Sequence, residues 1–198
     1  MAEQGSKARR PRIDGLHNRA LIVDAALRHF TEQGINASLE GIAKEAGVGP
    51  ATLYRHFPTR EALLADALYV RGEELLAGVT EIERSADPDC ALQRWMRVME
   101  DYLSLFQGLP DPVIRALPEQ DSPLSAPCQR LIDVTDRLLK HAQRSGSARP
   151  EVQADGLFLS VLCLAWAKAT GAADNATLET LRTMTAVGYL DQVRATGQ

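Results

Sequence analysis

The chain has few cysteines, no apolar run long enough to cross a membrane, and nothing that resembles a secretory signal. Its cysteines are Cys90, Cys128 and Cys163, and no two of them have the spacing of a metal-binding or redox motif. The longest apolar run, residues 157–167, is interrupted by Ser160 and falls short of the about 20 residues that a transmembrane helix needs. These absences predict a protein of the reducing cytoplasm that holds no metal and spans no membrane.

Recognisable catalytic motifs are also lacking. The four histidines, His17, His29, His56 and His141, fall in separate predicted helices and form no His-x-x-x-His pair. There is no G-x-S-x-G elbow, no phosphate-binding glycine loop and no helix with paired carboxylates. We therefore expect neither an enzyme nor a cofactor, although catalytic residues dispersed along the chain would leave no such motif.

The alternation typical of strands is absent, whereas apolar residues recur with the helical period along most of the chain. A content of 45% hydrophobic and 24% charged residues in 198 is ordinary for a globular protein. The net charge of -4 is unevenly distributed, because residues 1–60 contain 9 Lys or Arg against 6 Asp or Glu, and residues 61–198 contain 13 against 20. A basic first third and an acidic remainder are compatible with nucleic-acid binding through one end.

Residues 38–60 predict two short helices joined by a tight turn. Ser38 is a favourable N-cap, and Leu39, Ile42 and Ala43 follow at helical spacing. Gly47 suits the left-handed end of the first helix, and Pro50 suits the first turn of the second. In that second helix Leu53 and Phe57 are four residues apart and are expected to face the core, which directs the residues between them outward.

The segment GVGPATLYRHFPTREAL, together with Ala26, Phe30, Gly34 and Ile42-Ala43 upstream, closely resembles the DNA-binding domain of TetR-family transcriptional regulators. The resemblance covers about the first third of the chain. It implies an all-helical homodimer with an N-terminal three-helix reading head, and a larger C-terminal domain that binds a small effector and dimerises.

The expected organisation is all-α, with about nine helices in three parts. Residues 1–14 are expected to form a basic flexible arm, residues 15–60 the helix-turn-helix domain, and residues 61–198 the helical effector-binding and dimerisation domain. Beyond the two short helices we expect helices at residues 15–33, 60–84, 89–107, 125–144, 150–171 and 176–195, with a short one near 113–117. The resemblance assigns the last two long helices to the dimer interface.

The candidate DNA-binding residues are polar, cationic or small residues in or beside the two short helices, together with the arginines of the arm. They are Ser38, Lys44, Gly49, Pro50, Ala51, Thr52, Tyr54, Arg55, His56, Thr59, Arg9, Arg10 and Arg12. Several also have a structural interpretation: Ser38 and Thr59 as helix caps, Gly49 and Pro50 as turn formers, and Lys44 as a solvated side chain.

The candidate effector-binding residues are large apolar or sulfur-containing side chains of the C-terminal helices. They are Trp95, Met96, Met99, Tyr102, Phe106, Phe158, Cys163 and Trp166. For each residue taken alone, core is the favoured interpretation, and we expect some of the set to line a pocket as well. Together they suggest a largely hydrophobic effector.

The sequence therefore predicts a ligand-responsive transcriptional regulator. We expect a repressor that binds a palindromic DNA operator as a homodimer and is released by a small effector whose identity the sequence does not give. The alternatives are a helical enzyme with dispersed catalytic residues and a partner-binding helical protein whose DNA-binding head is vestigial.

Overall fold

The structure, a computed structural model, describes residues 10–85, 87–119 and 121–190, with the backbone alone for residues 10–14. Helices follow one another along these ranges, so the predicted all-α class is confirmed. They are α1 Arg10–Gln33, α2 Leu39–Glu45, α3 Pro50–His56, α4 Arg60–Ala77, α5 Val79–Glu83, α6 Pro88–Ser104, α7 Pro110–Ala116, α8 Ser125–Ser145, α9 Ala154–Thr170 and α10 Asn175–Tyr189. Within the described ranges, the bridge between Ala148 and Leu190 is the one isolated extended pairing.

Helices α1, α2 and α3 form the head, and α1 also packs along α4. The apolar stripe of α1 is buried at Ile22, Ala26 and Phe30, and it meets the buried Ile42 of α2 and Leu53 of α3. Helices as short as α2 and α3 are marginal alone in water, so their stability comes from this packing.

Helices α6, α8 and α9 form the centre of the C-terminal part and pack against one another. The large apolar side chains of α6 and of the turn that follows it are buried, and these residues are Leu92, Trp95, Met96, Met99, Leu103 and, just past the helix end, Phe106. The indole N–H of Trp95 donates to the hydroxyl of Thr135 on α8 at 2.8 Å. The hydroxyl of Tyr102 donates to the backbone carbonyl of Leu68 on α4 at 2.8 Å, which ties α6 to the helix that leaves the head.

The head contacts the C-terminal part just beyond the end of α6. The backbone N–H of Ile35 donates to the carbonyl of Gln107 at 2.9 Å, and Ile35 is buried against Gly108. Gly34 has φ 78°, and a Cβ added there would lie 2.9 Å from the same carbonyl. This junction needs glycine for both its backbone conformation and its close approach.

Some helix limits differ from the sequence predictions. Helix α1 begins at Arg10, five residues before the expected start, so the predicted boundary between residues 14 and 15 is not a helix boundary. Low apolar content does not prevent a helix where arginine favours one. The helix expected over residues 60–84 is divided at Gly78, whose N–H bonds to the carbonyl of Leu75, three residues back, at 3.2 Å.

Helix α9 begins at Ala154 rather than near residue 150. The side-chain amide of Gln143 donates to the carbonyls of Arg149 and Val152, at 2.9 and 3.1 Å, and holds the preceding segment as a loop. Helix α10 was expected to reach residue 195; its last residue is Tyr189, and residues 191–198 lie outside the described part of the chain.

Candidate nucleic-acid interface

The turn between α2 and α3 has the local features that the sequence predicts. The hydroxyl of Ser38 accepts the N–H of Gly41 at 3.2 Å and caps α2. Gly47 adopts the left-handed conformation, with φ 69°, and the N–H of Val48 returns to the carbonyl of Ala43 at 2.9 Å. The chain therefore reverses within a few residues and starts α3 at Pro50.

Helix α3 has one face in the core and one face open. Leu53 and, just past the helix end, Phe57 are each 1% exposed. On the open face Pro50, Ala51 and Arg55 are exposed and Tyr54 is 50% exposed, whereas Thr52 and His56 are half-buried. A hydroxyl, a phenol, a guanidinium and an imidazole thus share one short segment, and these groups suit both phosphates and base edges.

Arg19 of α1 fixes the C-terminal end of α3. Its guanidinium carbon lies 4.4 Å from the centre of the Phe57 ring, and its Nη1 donates to the backbone carbonyl of His56 at 3.2 Å. The same guanidinium pairs with Asp66 of α4 at 2.5 Å. One side chain therefore joins three helices behind the open face of α3, a role that no local sequence pattern indicates.

A second arginine, Arg60, holds the entry to α2. Its Nη1 donates to the carbonyls of Ile35 and Ala37 at 2.9 and 2.6 Å. These carbonyls belong to the loop between α1 and α2, so Arg60 fixes the first helix of the pair from the start of α4. Sequence spacing gave no signal of this, because the partners lie more than 20 residues away and are backbone atoms.

Helices α1 and α2 are also joined by ion pairs. Glu45 of α2 accepts from Arg28 at 2.6 Å and lies 2.8 Å from the Nε2 atom of His29. The hydrogen bond from Arg28 is the main reason that the pKa of Glu45 lies below its ordinary value. The exposed Lys44 beside it makes no ion pair within the described residues, so its charge is available on this side of the head.

The remaining candidate DNA-binding residues lie around α3 or in α1. The hydroxyl of Thr59 accepts the N–H of Ala62 at 3.1 Å and caps α4, while the residue itself is exposed. Gly49 is the N-cap of α3 and is exposed. Arg10 and Arg12 belong to the first turns of α1, and Arg9 lies outside the described residues.

The electrostatic character of this surface follows from its sequence. Residues 46–60 contain Arg55, His56 and Arg60 and no aspartate or glutamate. Negative charge on α2 is engaged at Glu45 by the ion pairs with α1. The exposed carboxylates nearest in sequence are Glu40 in the first turn of α2 and Glu61 in the first turn of α4, so the turn and α3 themselves present only neutral or positive side chains to a polyanion.

The eight candidate effector-binding residues do not form one site. Trp95, Met99, Tyr102, Phe106 and Phe158 are buried in the main core, and Cys163 and Trp166 lie on an exposed face of α9. Burial raises the pKa of Tyr102, in agreement with a core position. A cleft of about 540 Å³ lies between α6, α9 and α10, and Met96 is the one effector candidate among its lining residues.

The residues that the structure describes lack two further features. None of their helices is both long and apolar enough to cross a membrane. Nor do three or more of their histidine, cysteine, aspartate or glutamate side chains come together as metal ligands would.

Two protein-family models match the chain. The model of bacterial regulatory proteins of the TetR family matches residues 22–67. The model of the C-terminal domain of SbtR-like transcriptional regulators matches residues 87–189, which is more than half of the chain. The first match covers most of the head and the start of α4, and the second extends from just before α6 to the end of α10.

Individual relatives match over different lengths. An HTH-type transcriptional regulator of Staphylococcus aureus strain bovine RF122 / ET3-1 is 36% identical over 97 residues, which are 48% of this chain and 51% of that protein. The chain thus spans about half the length of the curated relatives it matches.

Solved structures match over most of the chain. A TetR transcriptional regulator from Streptomyces coelicolor is 30% identical with a TM-score of 0.57, covering 88% of this chain and 99% of its own. FadR from Bacillus subtilis, solved in complex with stearoyl-CoA, has a TM-score of 0.61 over 85% of this chain and 98% of its own; at 17% identity the similarity is one of fold.

Proposed function

This chain belongs to the TetR family of bacterial transcriptional regulators, and we propose from that premise that it is a homodimeric repressor of a palindromic operator. Membership gives it a DNA-binding domain and a ligand-binding domain. The observation that carries the proposal is the division of α3 into a face buried at Leu53 and Phe57 and an open face bearing Tyr54 and Arg55.

We assign the DNA contacts to the open face of α3 and its surroundings. Thr52, Tyr54 and His56 are suited to base edges and phosphates, while Arg55 and Lys44 are suited to phosphates. Gly49, Pro50 and Ala51 add little bulk, which permits close approach of the backbone to the duplex. The capped helix starts at Ser38 and Thr59 present backbone N–H groups to phosphate, and Arg9, Arg10 and Arg12 extend the basic surface toward a neighbouring groove.

Dimerisation is proposed through α9 and α10. These helices carry large apolar side chains that are exposed in the isolated chain: Leu159, Trp166, Leu181, Met184 and Val187. A surface of this kind is typical of a face that packs against another protein. One α3 reaches only a few base pairs, so two heads held at a fixed separation supply the affinity and specificity that a single head lacks.

The ligand-binding domain is proposed to take a small, largely hydrophobic effector that releases the DNA. If the ligand favours a conformation in which the two heads are wrongly spaced for adjacent grooves, it weakens operator binding by reciprocal linkage. Repression follows from exclusion of polymerase by the bound dimer. This activity belongs to the bacterial cytoplasm and involves no catalytic step.

The test is selection of bound fragments from random genomic DNA at low and moderate salt. We expect enrichment of one palindromic consensus at moderate salt, since non-specific phosphate binding weakens first as salt rises. An enzyme or a helical partner-binding protein would enrich no consensus. An Arg115→Gln variant, which removes an exposed charge on α7, serves as the matched control and should retain the same consensus.

A further inference from the structure

The cleft between α6, α9 and α10 has the size and the walls of a small-molecule site. Its volume is about 540 Å³, within the range of about 300–1,000 Å³ usual for ligand pockets. Its apolar lining includes Met96 of α6, Val161 and Leu164 of α9 and Ala186 of α10. Its charged lining comes from α6 and α10.

Helix α10 has its fully buried side chains near its two ends. Its two buried residues are Leu178 near the start and Tyr189 at the end. Leu178 belongs to a small apolar cluster with Leu164 and Ala167 that is separate from the main core, whereas Tyr189 joins the main core. Between these two residues, the partly buried Ala186 also packs on the main core, and the cleft lies beside this middle part of α10.

Ion pairs connect the middle of α10 to α6. The guanidinium of Arg182 donates to both carboxylate oxygens of Glu100, with Nε to Oε2 at 2.7 Å, and the Glu100 side chain is 2% exposed. Arg97 donates to both oxygens of Glu179 at 2.7 and 3.2 Å, and Arg182 also pairs with Glu179 at 2.7 Å. Both carboxylates of the cleft are thus neutralised by arginines.

One positive charge is left over. Three arginines and two glutamates line the cleft, and the third arginine, Arg94, is exposed and has no hydrogen bond or ion pair to any described residue. Solvent satisfies the donors of this exposed guanidinium in the free protein, and an anion that enters the cleft can replace that water with charge-assisted hydrogen bonds. Thr183 and Thr185 also line the cleft, but their hydroxyls donate to the backbone carbonyls of Glu179 and Leu181 at 2.8 and 2.9 Å, so they do not compete with Arg94 for an anion.

We propose that this cleft binds an amphipathic monoanion, with its apolar body against Met96 and Val161 and its anionic group on Arg94. The inference rests on the proposed function in one respect, that such a ligand is the effector. It specifies the class of effector as a molecule with one carboxylate, sulfonate or phosphate-ester group on a hydrophobic body.

The position of the cleft allows a bound ligand to affect both the proposed dimer face and the head. Its occupant separates α6 from α10, the helix with the exposed apolar residues Leu181 and Met184. Helix α6 also runs from the cleft to the junction at which Gln107 accepts the N–H of Ile35 in the head. A change in the spacing of α6 and α10 therefore acts on the dimer face and the head together.

The experiment compares two fluorescent probes with the same ring system. 8-Anilinonaphthalene-1-sulfonate carries one negative charge, and N-phenyl-1-naphthylamine lacks the sulfonate. We expect the full chain to bind the anionic probe about tenfold more tightly, the difference expected of a charge-assisted hydrogen bond in a partly enclosed site. Equal affinity for the two probes would overturn the proposal.

Variants locate the binding. Arg94→Gln should remove the about tenfold preference for the anionic probe without changing the affinity for the neutral probe. Arg94→Lys keeps a positive charge and should retain part of the preference. Arg84→Gln, at the exposed C-cap of α5, should change the affinity for neither probe. Thr183→Trp, which fills the cleft from an exposed position on α10, should weaken both probes. Unaltered binding in Arg94→Gln or in Thr183→Trp would place the probes elsewhere and refute the site.

These measurements are made without DNA. Charge-dependent probe binding in a protein that enriches no operator would refute the proposed function and leave the site standing. An operator consensus without charge-dependent probe binding would refute the proposed site and leave the proposed function standing.

Discussion

At the scale of single residues, the head separates side chains that fold it from side chains that are free to bind. Arg19 and Arg60 both donate hydrogen bonds to backbone carbonyls within the head, and Arg19 also pairs with Asp66. Arg55 is exposed at the end of α3 and has no such partner among the described residues. Residue type alone does not distinguish these arginines; their partners do.

Arg55→Gln is therefore expected to weaken DNA binding without altering the fold. Loss of one phosphate contact in each subunit should reduce affinity similarly for all sequences and lower the slope of log K against log salt by about 2 per dimer. Fluorescence anisotropy over a salt series measures this. Arg115→Gln removes one positive charge on α7 and should leave the slope unchanged. An unchanged slope in Arg55→Gln would show that Arg55 does not contact DNA.

The junction between the head and the C-terminal part also depends on one residue. Gly34→Ala places a Cβ 2.9 Å from the carbonyl of Gln107 on a backbone with φ 78°, so we expect the free energy of unfolding to fall by about 1–3 kcal/mol. Urea denaturation measures the loss. Gly15→Ala, in α1 with no atom near the added Cβ, should be neutral or stabilise by up to about 1 kcal/mol; equal effects of the two changes would show that the junction is not strained.

At the scale of elements, several helix starts are fixed by side-chain caps that the sequence makes visible. Ser38, Thr59, Asp87 and Asp174 each accept a backbone N–H in the first turn of the following helix. Helix stops are less visible. Gly146 and Gly171 end α8 and α9 in the left-handed conformation, whereas Gly78 divides a helix that periodicity alone continues.

Asp174 makes a pH-dependent contribution to α10. It accepts the N–H of Thr177 at 2.8 Å, and this bond holds its pKa below the ordinary value near 3.8. A carboxylate whose pKa is lowered by folding stabilises the protein above its unfolded pKa, and this contribution is lost as the pH falls through the lowered folded value.

Asp174→Ala should consequently lower Tm at pH 7, and its difference from the wild type should shrink as the pH falls below about 4. Thermal melts over pH 2.5–7 followed by circular dichroism, with ~0.5 pH spacing, test this. Asp174→Asn keeps a capping acceptor without a titrating group, so it should stay close to the wild type at pH 7. A Tm for Asp174→Ala equal to the wild type at pH 7 would contradict the capping role.

At the scale of the whole molecule, the exposed apolar faces of α9 and α10 and the acidic C-terminal two thirds have complementary consequences. We propose that the apolar faces pack two chains together. The acidic surface, with 13 Lys or Arg against 20 Asp or Glu in residues 61–198, keeps the remainder of each chain away from the phosphate backbone. DNA is thereby directed to the heads.

Met184→Glu tests the dimer. Met184 is 65% exposed on α10, so the change leaves the core of the monomer intact, but a two-fold interface would bury two unpaired carboxylates. We expect the dimer dissociation constant to rise by about a hundredfold or more, equivalent to about 2.7 kcal/mol, measured by sedimentation velocity. Ile114→Glu, at a similarly exposed residue of α7, should remain dimeric; a Met184→Glu dimer of undiminished stability would exclude this face.

Local sequence signals predicted the structure of residues 38–60 well, because these signals act over a few residues. The cap at Ser38, the left-handed Gly47, the start at Pro50 and the burial of Leu53 and Phe57 all follow from neighbours within one or two helical turns. The effector-binding residues were harder to predict from the sequence, because a large apolar side chain has the same sequence pattern whether it lies in a core or in a pocket. Trp95 proved to be core, and Trp166 lies at the surface.

The sequence by itself determined the all-α class, the resemblance to the family and the exposed composition of α3, since periodicity, caps and turn residues are local properties. Tertiary structure alone decided which charges are free. Arg94 and Arg182 are both arginines on helices that line one cleft, but only packing brings Glu100 within reach of Arg182 and leaves Arg94 without a described partner. Ion pairs between residues more than 80 positions apart depend on how the helices are placed, and no local pattern records that placement.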